Sequence, residues 1–176
     1  VPPLPAGDGW MFIELVGDSD AEVLARANAL VEAAKATEGW VLPDPLESKP
    51  LWTIRSDAAG LAGVALEDPA YPGWEDAAVP PDQLGNYLRE FEELLVAHGL
   101  HSLPYGHFGD GCIHCRIDFP LAEADGPQRY KKFVSAAADL VAKYGGSMSG
   151  EHGDGRARSE LLPKMYSPAA LQLFGA

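Results

Sequence analysis

The dipeptide Asp110-Gly111 constrains this chain more than any other feature, because it suits a two-residue type I′ hairpin turn, in which both positions take positive φ. Strands are therefore expected to run into and out of it. With those two residues as the loop, Gly109 faces Cys112, Phe108 faces Ile113, and His107 falls directly opposite His114. Opposed residues have Cβ atoms roughly 4.5–5.5 Å apart, which lets two imidazoles converge on one ion. A carboxylate from elsewhere would complete a His-His-carboxylate set with positions left for water or substrate. The candidate is Glu151, in a second glycine-rich stretch, Gly150-Glu151-His152-Gly153-Asp154-Gly155. Backbone freedom there lets Glu151 and His152 point in different directions, one toward a metal and the other toward substrate. Taken alone, this second stretch also fits a mobile surface loop. The two stretches hold three of the five histidines, and His98 and His101 read as ordinary satisfied polar residues.

The periodicities around these stretches predict an α+β chain. Trp10 to Val16 is an apolar run rich in strand formers, and Ser19-Asp20-Ala21-Glu22 is a capping box. The helix it opens places Val23, Leu24, Ala27, Leu30, Val31 and Ala34 on one face. From Gly39 to Pro81 prolines and glycines multiply and predict an ordered substrate-side loop region, with a short helix over Leu51 to Ala58 carrying Arg55. Trp40, Trp52 and Trp74 count against a flexible linker there. After Pro80-Pro81, Asp82 is expected to cap a helix whose Leu84, Tyr87, Leu88, Phe91, Leu94 and Leu95 recur at helical spacing. A second helix is predicted from about Gln128 to Tyr144, with Tyr130, Phe133, Val134, Ala137, Leu140 and Val141 inward and Gly145 as its stop. A short strand over Ser147 to Ser149 would then deliver Glu151. The architecture implied is an antiparallel sheet with helices packed on one face, of ferredoxin-like type.

Composition narrows the partners. At 176 residues and 47% hydrophobic, the chain suffices for a single domain, residues 1–176. No apolar run approaches the roughly 20 residues that span a bilayer, and no basic segment precedes an apolar one at the start. The expected location is cytoplasmic, at most peripheral to the inner face of a membrane. The net charge of −13 is uneven: residues 1–100 hold 5 basic and 18 acidic side chains, whereas residues 101–176 hold 8 of each. Acidity of this order excludes a nucleic acid partner, which needs clustered Lys and Arg. The locally neutral half is where an anionic substrate is tolerated. Cys112 and Cys115 invite a zinc-knuckle or redox reading, but residues three apart on a strand point to opposite faces. Cys115 is expected to join Ile113, Ile117 and Phe119 in the core, while Cys112 shares the face of His114.

The stretches Gly106-His107-Phe108-Gly109-Asp110-Gly111-Cys112-Ile113-His114 and Ser149-Gly150-Glu151-His152-Gly153-Asp154-Gly155-Arg156 resemble the C-terminal substrate domain of FAD-linked oxidases of the vanillyl-alcohol-oxidase superfamily. The resemblance is closest to the branch of D-lactate dehydrogenases, the glycolate oxidase flavin subunit and D-2-hydroxyglutarate dehydrogenases. Trp52-Thr53-Ile54-Arg55 and Glu75-Asp76-Ala77-Ala78-Val79-Pro80 match that family in the same order, so the resemblance covers most of the chain. It implies a divalent metal, zinc or manganese, on His107, His114 and Glu151. It implies His152 as the base for the substrate 2-hydroxyl, Arg55 as the grip on its carboxylate, and hydride passage from C2 to FAD. A guanidinium presents the planar pair of donors that a carboxylate needs.

Two departures bear on substrate. Cys112 stands at a substrate-facing position where many relatives have asparagine, and a thiol is a poorer hydrogen-bond partner for a substrate oxygen. Members acting on a five-carbon diacid are expected to carry a lysine just before the Asp-to-Pro segment, whereas Trp74 and Glu75 precede Asp76 here. That favours a small 2-hydroxy acid such as D-lactate or glycolate over D-2-hydroxyglutarate. Cys112 together with Arg156-Ala157-Arg158-Ser159-Glu160 looks most like long actinobacterial forms with an iron-sulfur module after the flavin part. No dinucleotide fingerprint occurs in the chain; the resemblance places the FAD-binding domain upstream and leaves room for an iron-sulfur module downstream. The isolated chain is expected to be inactive. A non-catalytic interaction domain that kept the metal motif is the different-class alternative. A metal hydrolase is disfavoured because no second carboxylate is evidently placed to activate water.

Overall fold

A computed structural model describes residues 2–64 and 66–175, with side chains except at 58, 59 and 61. The chain forms two compact units, Val1–Ala58 and Ala59–Ala176.

In the first unit, the capping box at Ser19 forms as expected. The Ser19 hydroxyl accepts from the Glu22 N–H, and the Glu22 carboxylate accepts in return from the Asp18 N–H. The helix it starts, α1, spans Asp20–Ala34. Its apolar stripe is not buried: Leu24 is 45% exposed and Leu30 36%. Trp10 to Val16, expected as a strand, runs without regular hydrogen-bonded structure, so this apolar run joins no sheet among the described residues. The region after Gly39 is more regular than its prolines imply. Asp44 caps α2, Pro45–Ser56, with Pro45 in the first turn, where its missing N–H costs nothing. This helix carries Arg55, as the sequence indicates. A short helix, α3, at Ala58–Val64, starts on the last residue of this unit and belongs otherwise to the second.

The second unit is built on a three-stranded antiparallel sheet of order β1-β3-β2, with β1 at Tyr71–Ala78, β2 at Tyr105–His107 and β3 at Cys112–Ile117. The α+β class with an antiparallel sheet therefore holds. The strand β1 falls inside the region read as loop, and it escaped notice because its alternation is broken twice. Pro72 pairs with Arg116 and Trp74 with Cys115, leaving Gly73 as an extra residue. Trp74 pairs with Cys115 and Ala77 with Ile113, three steps on β1 against two on β3. Glu75 and Asp76 together therefore oppose the single residue His114, which is the signature of a β-bulge.

One face of the sheet is core. Trp74, Ala77, Ile113, Cys115 and Ile117 are all 0% exposed, and Cys115 takes the core position its strand parity required. Two helices cover that face: α4, Leu84–His98, and α5, Gly126–Lys143. Both keep their predicted inward residues. Tyr87 and Phe91 of α4 and Phe133, Val134, Ala137 and Val141 of α5 are buried, with Phe91 meeting Phe133 edge-on at 6.0 Å. Asp82 is not the cap of α4; it lies in a 3-10 turn, Pro81–Gln83, where its carboxylate accepts from the Gln83 side chain. After α5, Gly145 turns the chain at φ +66 as expected. The strand expected over Ser147 to Ser149 reduces to one antiparallel bridge, Ser147 with Ala78, continued by Gly150 N–H to the Asp76 carbonyl at 2.7 Å. Two short helices close the unit, α6 at Gly155–Arg158 and α7 at Pro168–Phe174.

Candidate metal centre and catalytic site

The hairpin forms, with a different loop. A 3-10 turn, Phe108–Asp110, and Gly111 at φ +72 make four loop residues in place of two. His107 therefore pairs with Cys112 and His114 with Tyr105, so the direct His107–His114 opposition read from the sequence is corrected to a diagonal one. A slip of one residue would have sent one histidine to the core, but this slip is of two, and both stay on the same face. Their ring centroids lie 5.5 Å apart. The open face of the sheet thus carries Tyr105 and His107 on β2 with Cys112, His114 and Arg116 on β3.

The loop after the Ser147 bridge brings Glu151 over that face. Its Oε2 lies 3.6 Å from Nε2 of His107 and 3.6 Å from Nε2 of His114. These distances are too long for good hydrogen bonds. They are close to the about 3.3 Å that separates donors in a tetrahedral site with bonds of about 2.0–2.1 Å, so Glu151 Oε2 stands near that separation from each imidazole nitrogen. The His114 tautomer agrees. Its Nδ1 bonds the Glu75 carbonyl, an acceptor only, so Nδ1 carries the proton and the Nε2 lone pair faces Glu151. Glu75 is itself held through its carboxylate, which accepts from Nη2 of the buried Arg158 at 3.0 Å.

Asp76, which the sequence reading passed over as part of a motif match, proves central. It is 0% exposed. Its carboxylate accepts from the Ser149 hydroxyl, from Glu151 N–H at 3.1 Å and from His152 N–H at 2.8 Å, and its Oδ1 lies 3.7 Å from Nδ1 of His152. Burial alone would raise this carboxyl, but the hydrogen bonds from Ser149, His152 and Glu151 outweigh it and hold the group below the ordinary 3.8. Asp76, Cys112, His114 and Glu151 offer ligand atoms within 4.8 Å of one another, so a second donor set overlaps the first. The Asp76 oxygens are committed to loop donors, and burial, with Glu151 and Asp76 nearby, pushes the Cys112 thiol up to about 11. A strand residue read one position at a time gave no signal for Asp76; only the bulge turns it to this face.

His152 is 56% exposed at its side chain, with its ring stacked on that of His114 at 5.8 Å and 9°. Arg55 lies on α2 of the first unit, its guanidinium 5.6 Å from the centre of the Trp52 ring. Arg116 makes no hydrogen bond or ion pair among the described residues, and its Nε is buried without a partner. The two remaining histidines are structural, as read. His98 meets Phe133 edge-on, and His101 bonds Asp118 through both its N–H and its ring. The Asp118 hydrogen bond and charge raise His101 above the ordinary 6.5. Its contribution to stability is thus fully present below about pH 6.5 and lost as pH rises through the raised value. A proton NMR titration should place His101 above 6.5, and Asp118→Asn should return it to the ordinary range; a midpoint at or below 6.5 in the parent would refute the pairing.

The family model for FAD linked oxidases, C-terminal domain, matches residues 1–176. The chain belongs to this family. It is 34% identical over 178 residues to the D-2-hydroxyglutarate dehydrogenase of Pseudomonas putida, covering 96% of this chain and 18% of that protein. The corresponding Escherichia coli enzyme is 34% identical over 170 residues, 90% of this chain and 16% of that protein. A D-lactate dehydrogenase from Archaeoglobus fulgidus is 35% identical over 95 residues, 52% of this chain and 21% of that protein. The chain thus spans less than a fifth of the two D-2-hydroxyglutarate dehydrogenases. No helix among the described residues of this FAD-linked oxidase domain is long and apolar enough to cross a membrane.

Proposed function

We propose that this domain is the substrate- and metal-binding lobe of a flavin-dependent D-2-hydroxy-acid dehydrogenase, working beside an FAD-binding domain in a longer polypeptide. The observation that carries the proposal is the convergence of Nε2 of His107 and Nε2 of His114 on one Glu151 oxygen. Two imidazoles and a carboxylate suit zinc, and manganese fits the same donors. When bound, FAD supplies a two-electron acceptor and the divalent ion a Lewis acid at the substrate. His152 takes the 2-hydroxyl proton as C2 gives up its hydride, leaving a 2-oxo acid. Its exposed ring beside His114 supports that role. The family resemblance implies Arg55 as the grip on the substrate carboxylate, and Cys112 shares the sheet face of His114. The greater length of the relatives leaves room for both the flavin domain and an iron-sulfur module. We assign the complete protein to the cytoplasm.

For the substrate, D-lactate or glycolate remains the first reading. Trp74 is neutral and Glu75 anionic, so neither offers a cation to a second carboxylate. A specific observation favours D-2-hydroxyglutarate as the second reading: the unpaired Arg116 stands two residues from His114 on the same face. The names of the two long relatives agree with it. Turnover of each acid by the complete enzyme separates the two, and a diacid preference abolished by Arg116→Ala would establish the second.

The metal assignment is tested by plasma mass spectrometry of tag-free complete enzyme beside His107→Ala and His114→Ala. One equivalent of metal in the parent, lost in both variants, is the expected result. A parent that takes up neither zinc nor manganese would overturn the site.

A further inference from the structure

Three loop donors converge on one buried carboxylate that carries no assigned role. We infer that Asp76 is the positioning residue of this site: it fixes the backbone of Glu151 and His152 against the hairpin that bears His107 and His114. The inference rests on the reading of Glu151 as a metal ligand and His152 as the base.

The bulge is what makes the arrangement possible. In an unbroken strand Asp76 would share the core face of Trp74, where a carboxylate could not stay. The extra residue opposite His114 turns the Asp76 carboxylate and the Glu75 carbonyl toward the site. Glu75 then orients His114 through its carbonyl, while Asp76 collects the loop through Ser149, Glu151 and His152. One bulge therefore sets both histidine and glutamate ligands at once. The anchoring is doubled, because the Asp76 carbonyl also accepts from Gly150 N–H. Gly150 can approach this closely only without a side chain; a Cβ there would come within 2.9 Å of the Ala78 Cβ and 3.2 Å of the Cys112 sulfur. The carboxylate is matched to its work, since two N–H groups and a hydroxyl need an acceptor with several lone pairs and no hydrogen of its own. An amide of the same shape would turn an NH₂ toward those donors.

Asp76→Asn in the complete, zinc-loaded enzyme is therefore expected to weaken zinc binding about 10–100-fold, measured by chelator competition, with kcat falling by a similar factor. The double variant Asp76→Asn/His152→Ala separates positioning from general support of the fold. If Asp76 acts through the loop, its substitution on the His152→Ala background costs kcat less than about threefold further, because effects of residues acting as a unit do not multiply. Zinc affinity within about threefold of the parent in folded Asp76→Asn, or a full multiplicative loss in the double variant, would overturn the inference. Should Asp76→Asn fail to fold, Ser149→Ala removes one donor and leaves the carboxylate. A several-fold loss of zinc affinity is then expected, and unchanged affinity counts against the inference. If His152→Ala leaves kcat intact, the dehydrogenase reading fails, while zinc competition still decides Asp76 independently.

Discussion

Replacing His152 by alanine in the complete enzyme is expected to lower kcat by about 10²–10⁴-fold, the range typical of losing a general base. The imidazole is 56% exposed and stacks on His114, while its backbone N–H remains bonded to Asp76 whatever the side chain. The variant should therefore keep its fold and its metal. That combination makes the measurement decisive: steady-state turnover of a D-2-hydroxy acid, run beside metal analysis of the same sample. A loss of turnover with metal retained supports His152 as the base. Unchanged turnover would sink the catalytic assignment and leave the domain as an interaction surface that preserved a metal site.

Gly111→Ala is expected to destabilise the second unit by about 4 kcal/mol or more, among the largest effects of a single substitution. Two causes act together. The residue sits at φ +72, where a side chain is strained, and a Cβ would lie 1.9 Å from the Val79 carbonyl oxygen. Relief requires the backbone to move, and the Gly111 carbonyl is itself the acceptor for Val79 N–H. Movement there also displaces Cys112 and His114, so metal binding should fail together with stability. Gly109, two residues earlier in the same loop, has nothing within 4 Å of the position of a Cβ. Urea unfolding of Gly109→Ala should fall within about 1 kcal/mol of the parent. Equal effects of the two substitutions would show that the loop conformation differs from the one described.

Helices α4 and α5 were legible in the sequence because each buries one stripe against one sheet, so its apolar residues recur at helical spacing without interruption. The apolar stripe of α1 was just as regular, yet it is not buried; amphipathicity states what a helix can cover, not what is there to be covered. The strand β1 was hidden by Pro72, Gly73 and two register shifts, which erase the alternation on which strand recognition depends. The loop of the hairpin was misjudged because Asp110-Gly111 fixes where the chain reverses more firmly than how many residues do the reversing.

At the candidate site, the residue types of the proposed donor set were legible in the sequence alone. His107 and His114 flank one turn, and parity keeps them on one face under any register shift of two, so their partnership survived the error in register. The identity of the family was equally written in those two stretches, since both are short local motifs. Tertiary structure alone decided which carboxylate faces the two histidines and which one is buried beneath the loop. Glu151 and Asp76 lie 75 positions apart, and their division of labour follows from burial and from the count of donors around each. That count depends on a bulge that turns Asp76 away from the core, and a bulge is set by strand pairing, which no single stretch of sequence contains.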